Sequence, residues 1–447
     1  MVPSVDVVAD LYQLTMAASY VLHEQTDRAT FSLFARHLPP RRNFLVAAGL
    51  EDVLARLEDF AIGDGDLTWL AANGFDERTV AALAGLEFTG DVFAVPEGTL
   101  ILADEPLIEV TAPLPEAQLV ETMVLNQITY QTALTTKAAR CMLAADGRAE
   151  LIDFSLRRTH GIEAGMAAAR AATIAGFAGT SNVAASAALG LPAVGTMAHS
   201  YVESFPDERS AFRSFAGDFP SRTTFLVDTY DTLAGIDAAI AVAEQLALRG
   251  RFGVRLDSGD LLALSVQARR RLDEAGHTDA RIVASGGLDE YDIVQLLDHG
   301  APIDVFGIGT KFGVSADAPS LDSAYKLVEY AGRPVMKLSA GKETLPGPKQ
   351  VFRRAPLDDV LGTRDEPQPQ GTAPLLQPVM RNGARTEVPT PLSVVRDDLA
   401  QRLAELPAEL RQIRAAQPPS VAVSDRLARL RDSTKRLHLA DLQESRS

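Results

Sequence analysis

The sequence predicts an α/β fold centred on a closed or nearly closed parallel barrel, with an open doubly wound sheet as the alternative. Three observations carry this. Seven short apolar runs lie between residues 151 and 307, and Ala-rich stretches of helical spacing separate them. The runs are apolar almost throughout, the signature of parallel strands buried on both faces. Each ends in, or runs directly into, Gly, Ser, Thr or Asp, so polar residues gather at one end of every candidate strand.

The elements follow in chain order. Ala9–Val21 has helical spacing of apolar residues and Thr30–Phe34 alternates like a strand. Pro39 and Pro40 break the chain before the apolar segment Phe44–Leu57. Gly90–Gly98 and Leu100–Val110 read as a β-rich unit with turns, and Gln118–Leu143 as a long helix. The seven runs are Leu151–Phe154, Gly176–Thr180, Ala193–Thr196, Thr224–Asp228, Gly253–Asp257, Arg281–Ser285 and Ile303–Gly307. Helical stretches Ile236–Leu248, Leu261–Ala275 and Glu290–His299 separate the later ones. Beyond residue 340 the alternation stops, and Pro-, Gly- and Arg-rich sequence leads to two charged amphipathic helices, Asp397–Ala415 and Val423–Leu439. The chain thus divides into 1–135, 136–340 and 341–447.

Composition narrows the function. The 447 residues are 46% hydrophobic and 23% charged, which excludes a disordered or fibrous chain. Fifty-nine acidic against 43 basic residues give a net charge of −16, which argues against a general nucleic-acid or anionic-membrane binder. An anionic ligand must be held locally, by backbone amides and a few basic side chains. Cys141 is the sole cysteine, so an intrachain disulfide or a cysteine-rich zinc site is excluded; it reads as a small helix residue. The N-terminus lacks the pattern of a signal peptide, and no apolar run is long enough to span a membrane. A soluble, cytoplasmic protein is expected.

The chemistry gathers at the run ends, the face where parallel barrels carry their active sites. In order these are Asp153/Arg157/Arg158, Thr180–Asn182, Thr196/His199, Asp228–Asp231, Arg255/Asp257–Asp260, Ser285–Gly287 and Gly307–Thr310. Taken singly, an Asp or a Gly-Thr pair at a strand end is more often a cap or a turn. Ser285-Gly286-Gly287 and Gly307-Ile308-Gly309-Thr310 leave backbone amides free to face a phosphate at a helix start. Arg157 and Arg158 suit phosphate or carboxylate, a salt bridge to Asp153 or Glu163 being the alternative for one of them. Arg255 interrupts an apolar strand and so needs a partner or an anionic ligand. His199 at such a mouth is a candidate base or nucleophile. No histidine pair has metal-ligand spacing, whereas carboxylates near a polyphosphate suit Mg²⁺ held partly through substrate.

The segments Asp10–Met16, Ser155–Arg158, Gly195–Ser200, Val254–Asp260 and Gly307–Thr310, followed by Tyr325–Val328, together resemble the nicotinate phosphoribosyltransferase family from about residue 8 to 340. The resemblance implies an irregular α/β barrel and a second α/β domain built from the N- and C-terminal segments, in a homodimer with shared active sites. It implies an ATP-dependent ligase or pentosyltransferase that joins nicotinate to 5-phosphoribosyl 1-pyrophosphate, with Mg²⁺ as cofactor, ATP as co-substrate and His199 as phosphohistidine, in NAD salvage. Position by position, it puts Tyr12 of a neighbouring subunit and Phe154 on the two sides of the nicotinate ring. Arg255, with Thr196, meets the carboxylate, and Arg157 meets phosphate or pyrophosphate. Asp228 and Asp257 line the site near the ribose, the pyridine and the metal. Ser285, Gly286, Gly287, Gly307, Gly309 and Thr310 take the 5-phosphate. Its rivals are an enzyme of the same architecture using nicotinamide or quinolinate, and a catalytically silent nucleotide-binding barrel.

Overall fold

A computed structural model of the chain describes residues 6–248, 252–339 and 343–444. Its centre is a six-stranded parallel sheet. In spatial order the strands are Gly179–Thr180, Glu150–Asp153, Val305–Ile308, Arg281–Ala284, Gly253–Leu256 and Thr224–Leu226. The last strand in sequence pairs with the first, Val305 opposite Glu150, so the sheet winds in one sense and curls back on itself. A doubly wound sheet reverses its winding at a switch point; this one does not. The barrel stays open on one side. Ala193–Thr196, expected to be a strand, supplies only a single bridge from Ala193 to Thr180. Pro192 immediately before it has no amide to donate, and Gly195 has no side chain to pack.

Register explains which side chains reach the barrel interior. Ile152, Val283 and Val305 cluster inside with Phe154 and Val194. Val254, Leu256, Ile282, Ala284 and Phe306 face outward into the larger core against the helices. Arg255 lies opposite Val283 in the ladder and between two outward-facing residues, so the pleat turns it inward. Helices Thr232–Gln245, Leu261–Glu274 and Glu290–Asp298 cover the outside, and the side chains of Asp231, Asp260 and Asp289 accept amide bonds at their starts. Asp231 and Asp260 are therefore caps, the ordinary reading of an acid at a strand end.

The second unit is a seven-stranded antiparallel sheet made from distant parts of the chain. Arg28–Ala35 lies between Ser323–Tyr330 and Pro106–Pro113; Asp91–Ala94 follows, then Gln377–Arg381. Ser323–Tyr330 thus belongs to this sheet although it falls inside 136–340. A four-stranded sheet, including Lys349–Ala355 and Asp358–Thr363, adds the C-terminal segment. Helix Glu121–Ala145 joins the two units: Met123, Val124, Ile128 and Ala133 enter one core, and Leu134, Ala138, Cys141 and Ala144 the other. The penultimate α-helix runs Leu392–Glu405, shorter than expected because Pro407 stops it, and it buries Leu399 and Leu403. The last helix is Asp425–Glu444.

Candidate active site

Arg255 is the hub of the barrel mouth. Its Nε donates to Ser285 Oγ at 2.8 Å, Nη1 to Thr196 Oγ1 at 3.2 Å and Nη2 to Asp257 Oδ1 at 2.7 Å. Its side chain is 13% exposed, and the guanidinium carbon lies 5.3 Å from the centroid of the Phe154 ring. A guanidinium has five N–H donors. Three are engaged within the protein, which leaves one on each terminal nitrogen, the number that one carboxylate accepts bidentately.

Asp257 ties this hub to the histidine. Ser285 Oγ donates to the same Asp257 oxygen that Arg255 holds, while Oδ2 faces His199 Nε2 at 4.0 Å. Burial pushes the Asp257 carboxyl up, but the Ser285 hydrogen bond and the Arg255 guanidinium outweigh it and hold it below the usual range. His199 begins the short helix His199–Glu203, and its Nδ1 lies 3.1 Å from Thr229 Oγ1. Asp228 is held from the other side: its Oδ2 accepts the Asp257 amide at 3.1 Å and the Ser258 hydroxyl at 2.5 Å. Asp228 Oδ1 is buried with no hydrogen-bond partner among the described residues.

The two glycine loops leave adjacent parallel strands at the same end, as the pairing of Ala284 with Phe306 requires. Gly286 has φ +106°, and a Cβ there would stand 2.2 Å from the Asp257 carbonyl oxygen, so only glycine fits. Gly307 lies under the Phe154 ring, where a Cβ would come within 2.5 Å of two ring carbons. Gly309 precedes the short helix Thr310–Gly313, and Gly287 and Thr310 are exposed at the mouth. Ser285 differs from its loop neighbours: its hydroxyl is committed to Arg255 and Asp257.

Arg157 and Arg158 occupy the turn Leu156–Arg158, exposed and without ion pairs among the described residues. Asp153 is spoken for elsewhere, accepting the Ser155 amide at 2.8 Å and the Thr180 hydroxyl at 2.7 Å. Burial raises its carboxyl despite those bonds. Tyr12 is not brought to the mouth. It lies on helix Leu11–Leu22, which packs on Leu114–Leu119 and Glu77–Leu83, and the residue is 48% exposed. Its hydroxyl is pushed up to about 12 by burial and by Glu121.

Several participants escaped sequence reasoning. Thr229 and Ser258 sit inside runs already marked as polar, but nothing local says which hydroxyl turns inward. Glu208, on helix Glu208–Asp218, is lifted to about 7 by burial and by Asp228 and Asp231, and its Oε1 is buried without a hydrogen-bond partner among the described residues. Lys137 is fully buried midway along the long helix. It pairs with Glu290, with Asp317 at 3.0 Å and with Asp289 at 3.6 Å. Arg42 and Arg140 close the same network through Asp317 and Glu290, each at 3.0 Å. These six charges come from four separate stretches of the chain and have no common local signal.

Among the described residues, no group of three His, Cys, Asp or Glu side chains could by itself hold a metal ion, and no helix is long and apolar enough to cross a membrane. Three family models cover nearly the whole chain. The nicotinate phosphoribosyltransferase (NAPRTase) N-terminal domain matches residues 7–129, the NAPRTase family 149–348 and the C-terminal domain 324–431. The chain is 48% identical over 434 residues to nicotinate phosphoribosyltransferase pncB2 of Mycobacterium tuberculosis, covering 94% of this chain and 93% of that protein. It is 45% identical over 362 residues to nicotinate phosphoribosyltransferase of Bacillus subtilis, covering 78% and 73%. The crystal structure of human nicotinic acid phosphoribosyltransferase superposes with a TM-score of 0.83 at 31% identity, over 95% of this chain and 100% of that one. The curled parallel barrel, the arginine hub at its mouth and these matches together place the chain in the nicotinate phosphoribosyltransferase family.

Proposed function

We propose that this chain joins nicotinate to 5-phosphoribosyl 1-pyrophosphate, forming nicotinate mononucleotide and pyrophosphate in NAD salvage. The observation that carries the reading is the Arg255 hub. Two free guanidinium donors beside an aromatic ring, inside a barrel whose mouth carries two amide-rich loops, suit a flat ring bearing one carboxylate next to a ribose phosphate. The pyridine nitrogen supplies the electron pair for the new bond to the anomeric carbon. The bond from that carbon to the pyrophosphate oxygen breaks, and the pair leaves with pyrophosphate. No proton changes hands, so positioning and charge stabilisation do most of the work. Arg255 and Phe154 orient the ring, the loops Ser285–Gly287 and Gly307–Thr310 anchor the 5-phosphate, and Arg157 meets the pyrophosphate.

The reading includes coupling to ATP hydrolysis through His199. With its Nδ1 proton directed to Thr229, Nε2 keeps a lone pair facing the mouth and can attack the γ-phosphorus of ATP; the N–P bond forms as the bond to the β,γ-bridging oxygen breaks and ADP leaves. Hydrolysis of the phosphoimidazole then releases phosphate and restores the ring. A phosphoryl group there adds about −2 charge beside Asp257, enough to alter affinity for a polyanion. Asp257 and the free Asp228 oxygen fit Mg²⁺, which keeps most of its water and binds through one or two carboxylates and the substrate's phosphates. When bound, the ion neutralises pyrophosphate charge. The exposure of Tyr12 away from its own barrel supports a homodimer in which it completes the neighbour's site.

The test is direct. The protein is incubated with phosphoribosyl pyrophosphate, Mg²⁺ and either nicotinate or nicotinamide, with and without ATP, and the nucleotide formed is identified. Nicotinate mononucleotide formed faster with ATP is the expected result. Formation of the nicotinamide nucleotide alone, or of no nucleotide, would overturn the reading.

A further inference from the structure

A cavity of about 940 Å³ lies far from the barrel mouth, between the antiparallel sheet and the C-terminal helix Asp425–Glu444. Six arginines line it: Arg28 and Arg381 from the sheet, Arg364 from the loop after Asp358–Thr363, and Arg426, Arg429 and Arg436 from the helix. The last three are spaced by three and then seven residues, which places them on one helical face. In a chain of net charge −16 this is a strong local reversal.

The carboxylates nearby do not balance it. Asp91 serves both Arg28, at 2.8 Å, and Arg381, at 3.5 Å. Glu109 is shared between Arg364 and Lys349. Arg426 pairs with Asp365, whereas Asp432 is taken by Arg431. Arg429 and Arg436 are exposed and have no ion-pair partner among the described residues. Burial raises the carboxyl of Glu329, the remaining acid in the lining, which leaves four carboxylates against six guanidiniums there. Two of the guanidiniums are held rigidly: Arg364 and Arg381 lie 3.9 and 4.7 Å from the centroid of the Phe93 ring. Stacking of this kind fixes the guanidinium plane while leaving its N–H edge available. Arg364 Nε is itself buried without a hydrogen-bond partner among the described residues.

We propose that this cavity is a second ligand site, which takes a small polyanion carrying two or more linked phosphates and so clamps the C-terminal helix to the sheet. The volume is that of a nucleotide-sized ligand. Cations on both walls require charge at more than one point of the ligand. An extended nucleic acid would reach beyond the cavity and meet the repulsion of a chain of net charge −16, whereas a compact ligand avoids it. The site is independent of the transferase reading and shares no residue with the barrel mouth.

The experiment is isothermal titration of the full-length protein with tripolyphosphate and, separately, with ATP, comparing the wild type with the double variant Arg429→Glu/Arg436→Glu. Both positions are exposed on the helix, so the fold should tolerate the change; melting without ligand checks this. Besides binding at the barrel mouth, which the double variant should retain, the wild type should show a further class of tripolyphosphate site that is lost, or weakened at least tenfold, in the double variant, together with that site's share of the ligand-induced rise in Tm. Arg429→Gln/Arg436→Gln should give an intermediate loss. Tighter binding of ATP than of tripolyphosphate at this same class identifies a nucleotide; equal binding identifies the phosphate chain alone. Identical stoichiometry and affinity for both probes in wild type and double variant would overturn the proposal.

Discussion

Replacing Arg255 by Ala removes the side chain that joins Ser285, Thr196 and Asp257, and with it the two donors assigned to the nicotinate carboxylate. The side chain is only 13% exposed, so the carboxylate would lose its partner in a largely dehydrated place. Truncating one side of such a buried, charge-assisted pair costs about 2–5 kcal/mol. At about 1.4 kcal/mol per tenfold, that is a rise of about 30-fold to a few thousand-fold in the nicotinate KM. Nicotinamide presents a neutral amide, for which a hydrogen bond is worth about 1 kcal/mol, so its weaker use should change by about tenfold at most. The selectivity between the two rings should therefore collapse. A second consequence follows from Asp257, which loses the guanidinium that helps to hold its carboxyl down. The acid limb of the kcat/KM profile should move to higher pH. Arg255→Lys, which retains charge but not the planar fork, should fall between the two. The assay is initial-rate kinetics with each ring at saturating phosphoribosyl pyrophosphate, with the product nucleotides separated and quantified. An unchanged nicotinate KM, or an equal change for both rings, would remove Arg255 from the carboxylate role.

Four further predictions rest on separate observations. His199→Asn should abolish acid-labile, base-stable labelling from γ-labelled ATP while the protein stays folded, since the ring is 40% exposed and its hydrogen bond to Thr229 is worth about 1 kcal/mol; label persisting in the variant would move the phosphorylation to another residue. A mixture of Tyr12→Ala and His199→Ala chains, each without ATP-stimulated transfer alone, should regain it through one intact site per heterodimer, and no recovery despite proven subunit exchange would count against a shared site. Gly307→Ala should push Phe154 off its place above Arg255, because the added Cβ would stand 2.5 Å from the ring, and should raise the nicotinate KM at a stability cost of about 1–3 kcal/mol; an unchanged KM would mean that the ring's position is immaterial. Burial would raise the Asp317 carboxyl, but Arg42 and Lys137 hold it at about 2, so its contribution is complete above the unfolded value and is lost as pH falls through about 2. Asp317→Asn should thus cost about 2–3 kcal/mol at neutral pH and flatten the acid slope of Tm below about pH 4; an unaltered slope would show that the network does not set acid stability.

The barrel was legible because its signals are local and repeated. Apolar runs with polar ends, separated by helical stretches, define parallel strands whatever the rest of the chain does, and they located the inward-facing Arg255 and both glycine loops. One run misled. Ala193–Thr196 has the composition of a strand, but Pro192 and Gly195 leave it a single bridge, so the barrel is open beside it. Hydropathy registers apolar side chains and is blind to the amides that a ladder consumes. Similarly, Ser323–Tyr330 follows directly on the barrel in sequence, yet it pairs with Arg28–Ala35 nearly 300 residues earlier. Strand pairing is set by long-range geometry that no window of sequence contains.

At the site, the sequence by itself determined which residue types stand at the mouth, because chemistry at a strand end leaves its mark within a few positions. Only the tertiary structure decided how they are shared out. Ser285, grouped by position with the phosphate loop, is bound into the Arg255–Asp257 network, while Asp231 and Asp260 turned out to be helix caps. Thr229 lay within a marked polar run that did not say which hydroxyl turns inward, and Glu208 and the buried Lys137–Glu290–Asp317 cluster had no signal at all. A charge can lie buried only where an opposite charge meets it, and that partner comes from whichever segment the fold brings alongside. Periodicity fixes the face of an element; the partner across the gap is a property of the assembled chain.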